Sequence, residues 1–374
     1  MILLDRYVVK NGKKLRYGYT TGSCASAATL AAILTLKSKE AVEEVMIHTP
    51  KGWDIRIESE IVSLDINSCT AYVVKDSGDD PDVTNGVKIY SKVTLRDDKN
   101  RNIYGGVGVG KVTRKGLSVE VGSSAINPVP MEMIKNVLDE HLPDDLGVDV
   151  EIYCPEGVEI GKKTFNPRLG IEGGISIIGT TGIVEPMSLE ALKDSIVIEL
   201  KYLKENGYNK VIFSPGNYGR DKLIEMGFDQ ELLVKTSNFL GYMLEQAEYY
   251  GFEKVLWIGH IGKMVKLSGG IYDSHSKNAD GRMEILTCHA ALLGADKELL
   301  NQIFKSITTD EAISYIKEKM DDEIFSVLSN KIVENSKHRF SGEVEALIFS
   351  KEHGILGSSK GFNNLSKEFF NEKS

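Results

Sequence analysis

The chain has 374 residues, of which 41% are hydrophobic and 26% charged, with a formal net charge of -9. This length favours two domains with separate cores, and the acidic balance argues against nucleic acid or an anionic membrane as a partner. No apolar run approaches the roughly 20 residues that span a bilayer, and charges interrupt the apolar runs near the start, so neither a membrane span nor a signal peptide is expected.

The first part of the chain is predicted to form strands in series with two helices. An Ala-rich helix is expected over about 25–36 and a second over 130–141, with Pro130 in its first turn. Alternating and β-branched residues predict strands at 45–48, 53–62, 70–75, 87–95, 107–112, 117–121 and 148–153. This order is typical of an α+β domain.

From about Gly170 the pattern changes to alternating strands and helices. The apolar run Ile175–Ile178 predicts a first strand, which a helix over 189–206 follows. Further strands are expected at 210–214, 255–258 and 344–350, with helical stretches up to 251 and over 280–337. Such alternation implies a mostly parallel sheet with ligands outside the carboxyl ends of its strands. We therefore expect an α+β domain at 1–168 and an α/β, Rossmann-like domain at 169–374.

Two glycine-containing loops follow predicted strands of the second domain. Gly179-Thr180-Thr181-Gly182 follows the first strand, and Pro-Gly-Asn-Tyr-Gly at 215–219 follows the second. Neither a G-x-G-x-x-G motif nor a Walker lysine is present, so the usual dinucleotide and ATP signatures are missing. The end of the predicted second strand also lacks the carboxylate that commonly binds a ribose. Each loop therefore either binds a small ligand in another manner or is a tight turn.

Four carboxylates, Asp76, Asp79, Asp80 and Asp82, follow the predicted strand 70–75. Crowded carboxylates bind divalent cations or raise one another's pKa for acid–base chemistry. The alternative is a solvated turn rich in aspartate. The cysteines Cys24, Cys69, Cys154 and Cys288 form no CxxC motif, so we expect free thiols in a reducing cytoplasm and no zinc site.

Two histidines lie on glycine-containing loops of the second domain. His260 follows the strand at 255–258, and His275 lies a little further along. Histidine in such a position moves a proton near neutral pH or binds an anion, and otherwise is structural. Nearby cations predict a pocket for a polycarboxylate, or ordinary surface charge; they are Lys263, Lys266, Lys277 and Arg282.

Together these segments resemble the CbiD family, the cobalt-precorrin-5B C(1)-methyltransferases of the anaerobic cobalamin pathway. The resemblance extends in order through most of the chain, to about Ala295. The matching segments are 18–25, 75–84, 106–109, 125–130, 165–188, 215–219, 260–263 and 275–280. Each segment is weakly specific, and their common order carries the resemblance.

The resemblance implies methyl transfer from S-adenosylmethionine to carbon 1 of a cobalt-bound tetrapyrrole, with cobalt-precorrin-6A and S-adenosylhomocysteine as products. The cobalt enters with the substrate, so no protein metal site is expected. The substrate carries many carboxylates, which suits a local lining of lysine and arginine. The reaction requires in-line alignment and exclusion of water more than strong acid–base groups.

Position along the chain predicts the site residues. The residues predicted to bind the methyl donor are Gly173, Gly174, Gly179, Thr180, Thr181, Gly182, Gly216 and Asn217. The residues predicted to bind the tetrapyrrole are Thr20, Thr21, Ser23, Arg168, Lys263 and Lys277. The candidate bases are His260 and His275, with Asp76 and Asp79 as competitors.

The sequence is compatible with two other functions. A non-catalytic carrier of a cobalt-tetrapyrrole is one, and a dinucleotide-dependent oxidoreductase is the other. The expected partner is a small molecule, not nucleic acid or a membrane. A homo-oligomer and transient hand-over to neighbouring pathway enzymes are further expectations for a cytoplasmic protein.

Overall fold

The computed structural model describes residues 4–10 and 12–370 and divides the chain into two compact units. Unit 1 is Met1–Glu190 and unit 2 is Ala191–Ser374. This division differs from the expected boundary at 168/169. The reason is that the Gly-rich segment 165–188 pairs with strands of unit 1, so the predicted donor loop belongs to that unit.

The elements of unit 1 are mostly short strands. The strands are β1 (Tyr7–Lys10), β2 (Lys13–Arg16), β3 (Gly18–Tyr19), β4 (Glu44–His48), β5 (Asp54–Glu58), β6 (Glu60–Leu64), β7 (Ser68–Val74), β8 (Lys88–Arg96), β9 (Arg101–Gly105), β10 (Gly108–Val109), β11 (Lys111–Val112), β12 (Gly147–Tyr153), β13 (Ile171–Glu172), β14 (Gly174–Ile175) and β15 (Ile183–Val184). The helices are α1 (Thr21–Ser38), α2 (Pro128–His141) and α3 (Gly157–Gly161).

The core of unit 1 lies between α1 and a sheet of order β6-β7-β8-β12-β9. The neighbours in this sheet are antiparallel except for β12 and β9. Helix α1 begins after Thr20, whose side chain accepts a hydrogen bond from the Ser23 backbone N–H, as an N-cap residue does. Its Ala-rich sequence is buried on nearly every side, so it forms a central helix rather than a surface one.

The elements of unit 2 are longer and more helical. The strands are β16 (Lys210–Ser214), β17 (Leu233–Lys235), β18 (Lys254–His260), β19 (Glu343–Ser350) and β20 (Gly354–Ser358). The helices are α4 (Leu189–Glu205), α5 (Gly219–Met226), α6 (Leu240–Tyr249), α7 (Ile261–Ser268), α8 (Arg282–Leu292), α9 (Lys297–Lys305), α10 (Thr309–Lys319), α11 (Glu323–Ser336) and α12 (Phe362–Leu365).

The sheet of unit 2 has the order β17-β16-β18-β19-β20 and is parallel except for β20. Strands β16 and β18 are almost wholly buried, as strands covered on both faces are. The chain thus has a mixed α/β fold with a largely antiparallel sheet followed by a largely parallel one. In the part of the chain that the structure describes, no helix combines the length and the apolar character that a membrane span requires.

Three sequence-based expectations about elements are wrong. The run Ile175–Ile178 does not begin the parallel sheet, because β14 pairs with β10 and Ile177 bridges to Ile126, both within unit 1. No strand forms over 117–121. The segment 53–62 is divided between β5, which pairs with β4, and β6, which pairs with β7. The sequence patterns do not predict eight of the described strands, which are β1, β2, β3, β9, β13, β15, β17 and β20.

Candidate functional site

The carboxyl ends of the parallel strands in unit 2 carry a series of polar residues. Strand β16 ends at Ser214, β18 at His260 and β19 at Ser350, while Thr236 and Asn238 directly follow β17. The chain passes from β16 to β17 on one side and returns to β18 on the other side of β16. In open parallel sheets a crevice forms where the strand order reverses in this way, and ligands bind there. The candidate site is therefore the edge beside β16 and β18.

Two hydroxyl groups at this edge are buried without a partner. Within the described ranges, Ser214 Oγ and Thr236 Oγ1 form no hydrogen bond, and both residues are fully buried. The two residues are joined through the backbone, since Thr236 N donates to Ser214 O at 3.1 Å. Ser214 lies beneath Gly219, where an added Cβ would be 2.5 Å from Ser214 Cβ. Because buried polar groups normally have partners, these two hydroxyls are candidate hydrogen-bonding groups for a ligand or a water at this edge.

Lys263 and Asn238 meet at the same edge. Lys263 Nζ donates to Asn238 Oδ1, and the lysine stem lies 3.6 Å from the position of a Cβ on Gly216. Burial lowers the pKa of the Lys263 ammonium and Lys266 lowers it further, while Asp273 acts in the opposite direction. The structure thus brings the predicted residues Gly216 and Lys263 together.

His260 is the N-cap residue of α7. Its Nδ1 accepts a hydrogen bond from Gly262 N at 3.1 Å, so the proton of the neutral ring is on Nε2. Nε2 is 4.0 Å from Asp310 Oδ1, and the ring lies between those of Tyr218 and Phe349. Burial lowers the pKa of His260 and Asp310 partly opposes this. With Nδ1 engaged in this way, the neutral imidazole presents Nε2–H as a hydrogen-bond donor.

We expect His260 to titrate below its ordinary value of 6.5 and to hold the Nε2–H tautomer when neutral. Because its pKa is lower in the folded than in the unfolded chain, the unfolded state takes up the proton first as pH falls. The stability that His260 contributes is therefore complete above the unfolded pKa and is lost as pH falls towards the folded value. Side-chain ¹⁵N NMR against pH measures both properties, with His260→Asn assigning the signal. A titration at or above 6.5, or an Nδ1–H tautomer, would contradict this assignment.

His275 and Lys277 lie on an exposed turn. His275 Nδ1 accepts from Lys277 N at 3.1 Å, and His275 N donates to Asp273 Oδ1 at 3.0 Å. The buried Lys266 supports this turn by donating to the carbonyl oxygens of Ser274 and Ala279. The ring of His275 therefore caps a turn. Among the described residues, His275 and His260 share no contact.

The predicted tetrapyrrole residues at the start of α1 contact the predicted donor loop 179–182. Ser23 Oγ donates to Gly182 O at 2.6 Å, and Thr20 N donates to the same oxygen at 3.1 Å. Thr21 Oγ1 accepts from Ile178 N at 2.8 Å. These three residues are buried and hold the loop in place.

The outer side of the same loop has different properties. The side chains of Thr180 and Thr181 are exposed, and Gly182 has a φ of 75°. The backbone N–H groups of 179–182 donate to no acceptor in the part of the chain that the structure describes. A ligand of this loop would therefore bind the N–H groups, since the carbonyl oxygens of Thr181 and Gly182 already accept hydrogen bonds from Lys51, Thr20 and Ser23.

The other predicted residues of the Gly-rich segment have steric roles or are exposed. Gly174 crosses Gly108 so closely that a Cβ there would be 2.8 Å from Val109 N and would overlap the Gly108 carbonyl. Gly173 is exposed with a φ of 84°, and Arg168 is exposed on a short 3-10 turn.

The aspartates of 76–82 form an ion-paired turn. Asp76 binds Arg16 through two hydrogen bonds of 2.6 and 2.7 Å, and Asp79 accepts from Arg16 N at 2.6 Å. Burial raises the pKa of Asp76, but Arg16 and the Gly78 N–H outweigh it, and the net pKa is lowered. Asp82 pairs with the buried Lys75 at 2.5 Å. These contacts agree with a structural turn, the alternative to a catalytic or metal-binding cluster.

A group that could hold a metal occurs elsewhere. Asp310, Glu352 and His353 have ligand atoms within 4.8 Å of one another, and Asp310 also accepts from Ser350 Oγ. The described residues show no such group among 76–82.

Sequence analysis does not identify Thr236 and Asn238 because it does not predict β17, and it does not identify Asp310 because that residue reaches His260 and Ser350 only through a long-range contact of α10. Strand β17 has three residues, and its signal was the apolar run before Thr-Ser-Asn at 236–238. The loop 215–219 follows the first strand of the sheet rather than the second, because Ile175–Ile178 does not belong to that sheet. The end of the true second strand also carries no carboxylate.

Comparison with known proteins identifies the family. A model described as CbiD matches residues 8–186, and a model described as CbiD, C-terminal domain, matches residues 273–360. The chain is 49% identical over 356 residues to a cobalt-precorrin-5B C(1)-methyltransferase of Alkaliphilus metalliredigens, covering 94% of each chain. It is 50% identical to the protein of that name from a Thermoanaerobacter species, covering 84% of this chain and 86% of the relative. A crystal structure of a cobalamin biosynthesis protein (cbiD) from Archaeoglobus fulgidus is 30% identical, covers 74% of this chain and 87% of that one, and has a TM-score of 0.40. The chain therefore belongs to the CbiD family.

Proposed function

We propose that this protein methylates carbon 1 of cobalt-precorrin-5B with S-adenosylmethionine, giving cobalt-precorrin-6A in cobalamin biosynthesis. The observation that carries this proposal is the 49% identity, over 94% of both chains, to a relative named for that reaction. The two family models also cover most of the chain from residue 8 to residue 360. Cobalt is part of the substrate, so the reaction requires no metal ligand from the protein.

We place the methyl donor at the carboxyl edge of the unit 2 sheet, a Rossmann-like arrangement, with Gly216 and Asn217 in the loop against it. The strand reversal at β16 and the two unpartnered hydroxyls support this position. The outer side of the loop 179–182 is the second candidate for donor contacts. Its backbone N–H groups donate to no acceptor in the described residues, so they suit the polar groups of a nucleoside.

Methyl transfer makes modest demands on the side chains. The donor supplies an electrophilic methyl group, and positive charge on its sulfur is lost in the transition state, so orientation and exclusion of water dominate the rate. In this scheme His260 orients a bound group by donating from Nε2, since Nδ1 is engaged with Gly262. The Asp310 carboxylate stabilises the ring in that orientation.

The reaction is tested by incubating the protein with cobalt-precorrin-5B and S-adenosylmethionine carrying a ¹³C methyl group. We expect mass spectrometry to show one labelled methyl on the macrocycle and ¹³C NMR to place it on carbon 1. A labelled methyl elsewhere, or macrocycle binding without transfer, would contradict the proposal; the latter result would fit a carrier.

The donor position is tested by calorimetric titration with S-adenosylhomocysteine, with and without a cobalt-tetrapyrrole. The variants are Gly216→Asp and Gly182→Asp, with Gly207→Asp as a control, since all three glycines have a φ between 75° and 87°. We expect Gly216→Asp to lose binding and Gly207→Asp to retain it. Loss only in Gly182→Asp would move the donor to the 179–182 loop.

A further inference from the structure

Lys263 differs from Lys266 and Arg282 in its ionic partners. Lys266 and Arg282 both pair with Asp280, at 3.6 and 2.5 Å. Lys263 has no carboxylate within 4.0 Å among the residues that the structure describes, and Asp273 acts on it only from a greater distance. A half-buried ammonium group without a counter-ion is costly, and the cost disappears when an anion binds.

The residues in contact with Lys263 add hydrogen-bond donors, and Asp273 is the negative charge that acts on it from a greater distance. Asn238 Oδ1 accepts from Lys263 Nζ and, at 3.4 Å, from Ser274 Oγ, so its amide nitrogen is the side that remains for a ligand. That nitrogen donates to no acceptor within the described ranges. Gly216 leaves the lysine stem uncovered, since its missing side chain would lie 3.6 Å from Lys263 Cε.

The position in the fold agrees with this chemistry. Gly216 follows β16, Asn238 follows β17 and Lys263 follows β18, so three adjacent strand ends meet at one point. The fully buried hydroxyls of Ser214 and Thr236 lie at the same edge without partners. These hydroxyls are observations independent of the lysine, and their lack of partners agrees with a polar ligand or a water at this edge.

We propose that Lys263, Asn238 and Gly216 form a carboxylate-binding subsite at the carboxyl edge of the unit 2 sheet. This inference rests on the proposed function, which offers two carboxylate sources. One is the amino-acid carboxylate of the methyl donor, and the other is an acetate or propionate group of the macrocycle. An ammonium group and an amide N–H bind one carboxylate through charge-assisted hydrogen bonds, and the subsite fixes the orientation of whichever molecule carries it.

The test compares S-adenosylhomocysteine with its decarboxylated analogue, which lacks only the carboxylate. We expect wild type to bind the first at least about tenfold more tightly, as loss of a charge-assisted hydrogen bond implies. In Lys263→Met that ratio should fall to about one, while Lys263→Arg retains part of it. Lys254→Met is the control, because it removes one charge at the opposite end of β18, where Lys254 pairs with Glu368 at 2.7 Å. Circular dichroism checks that each variant is folded.

A second arm identifies a macrocycle carboxylate. If the subsite binds the macrocycle, Lys263→Met leaves the ratio of affinities for S-adenosylhomocysteine and its decarboxylated analogue unchanged. The variant then raises KM for cobalt-precorrin-5B at least about tenfold relative to Lys254→Met. A folded Lys263→Met protein with neither change would overturn the subsite while methyl transfer by wild type still stands. Failure of wild type to transfer methyl would contradict the proposed function instead, and the binding ratio would still test the subsite.

Discussion

Replacing Gly108 with alanine is expected to lower the free energy of unfolding by about 4 kcal/mol or more, an unusually large loss for one methyl group. Gly108 has a φ of 77°, and a Cβ there would be 2.6 Å from the Cys154 carbonyl carbon and would overlap its oxygen. The obstacle is backbone, which cannot rotate away as a side chain can. Moving it would also separate β10 from β14, one of the three strand pairs that hold the Gly-rich segment in unit 1.

Chemical denaturation of the full chain measures this loss, and hydrogen exchange with mass spectrometry locates it. Gly122→Ala is the matched control, because Gly122 has a φ of 92° with nothing within 4 Å of the added Cβ. In the control, the free energy of unfolding should fall only by the cost of placing alanine in a left-handed conformation, about 1–2 kcal/mol. Equal losses in the two variants would show that the close approach at Gly108 is unimportant.

Gly219→Ala should weaken S-adenosylhomocysteine binding at least about tenfold, or ~1.4 kcal/mol. Gly219 is the first residue of α5, and a Cβ there would be 2.5 Å from Ser214 Cβ and would overlap Ser214 Oγ. Because Ser214 is fully buried at the end of β16, the loop 215–219 must move instead. Its displacement would misplace Gly216, and overpacking of this kind also costs about 1–3 kcal/mol of stability.

The double variant Gly219→Ala, Ser214→Gly provides the control, since it removes both clashing atoms. In the Ser214→Gly background, Gly219→Ala should weaken S-adenosylhomocysteine binding much less than it does in wild type. The difference between the two effects is a large coupling energy in a double-mutant cycle. Calorimetry measures each affinity. If the effects of the two single substitutions on binding simply add, the clash with Ser214 is not the cause of the weaker binding. If Gly219→Ala leaves binding unchanged, the donor lies away from this loop.

Local patterns predicted many of the elements well. Strand β16 was expected over the range that it occupies, and the central helix, β18 and β19 differ only at their ends. The order of an α+β part followed by an α/β part was also predicted. The reason is that the hydrophobic periodicity and the capping residues of an element lie close together in the sequence. A short stretch of sequence is therefore enough to predict it.

The Gly-rich segment 165–188 shows where local patterns fail. An apolar run between glycines is compatible with a buried strand in any sheet, so the local pattern predicts a strand at 175–178 but not the sheet to which it belongs. Its partners are Val109 and Ile126, tens of residues earlier in the chain. The many glycines that suggested a ligand partly serve close backbone packing, as Gly174 against Gly108 shows.

The predicted roles of charged and polar residues depended on the same distant contacts. Residue type and order were enough for the mixed α/β class, the absence of nucleotide signatures and the resemblance to CbiD, since all three depend on sequence alone. Whether Asp76 is free or paired depended on Arg16, and whether His260 donates or accepts depended on the Gly262 N–H. The meeting of Gly216, Asn238 and Lys263 required the strand order β17-β16-β18, because only long-range pairing brings three strand ends to one edge.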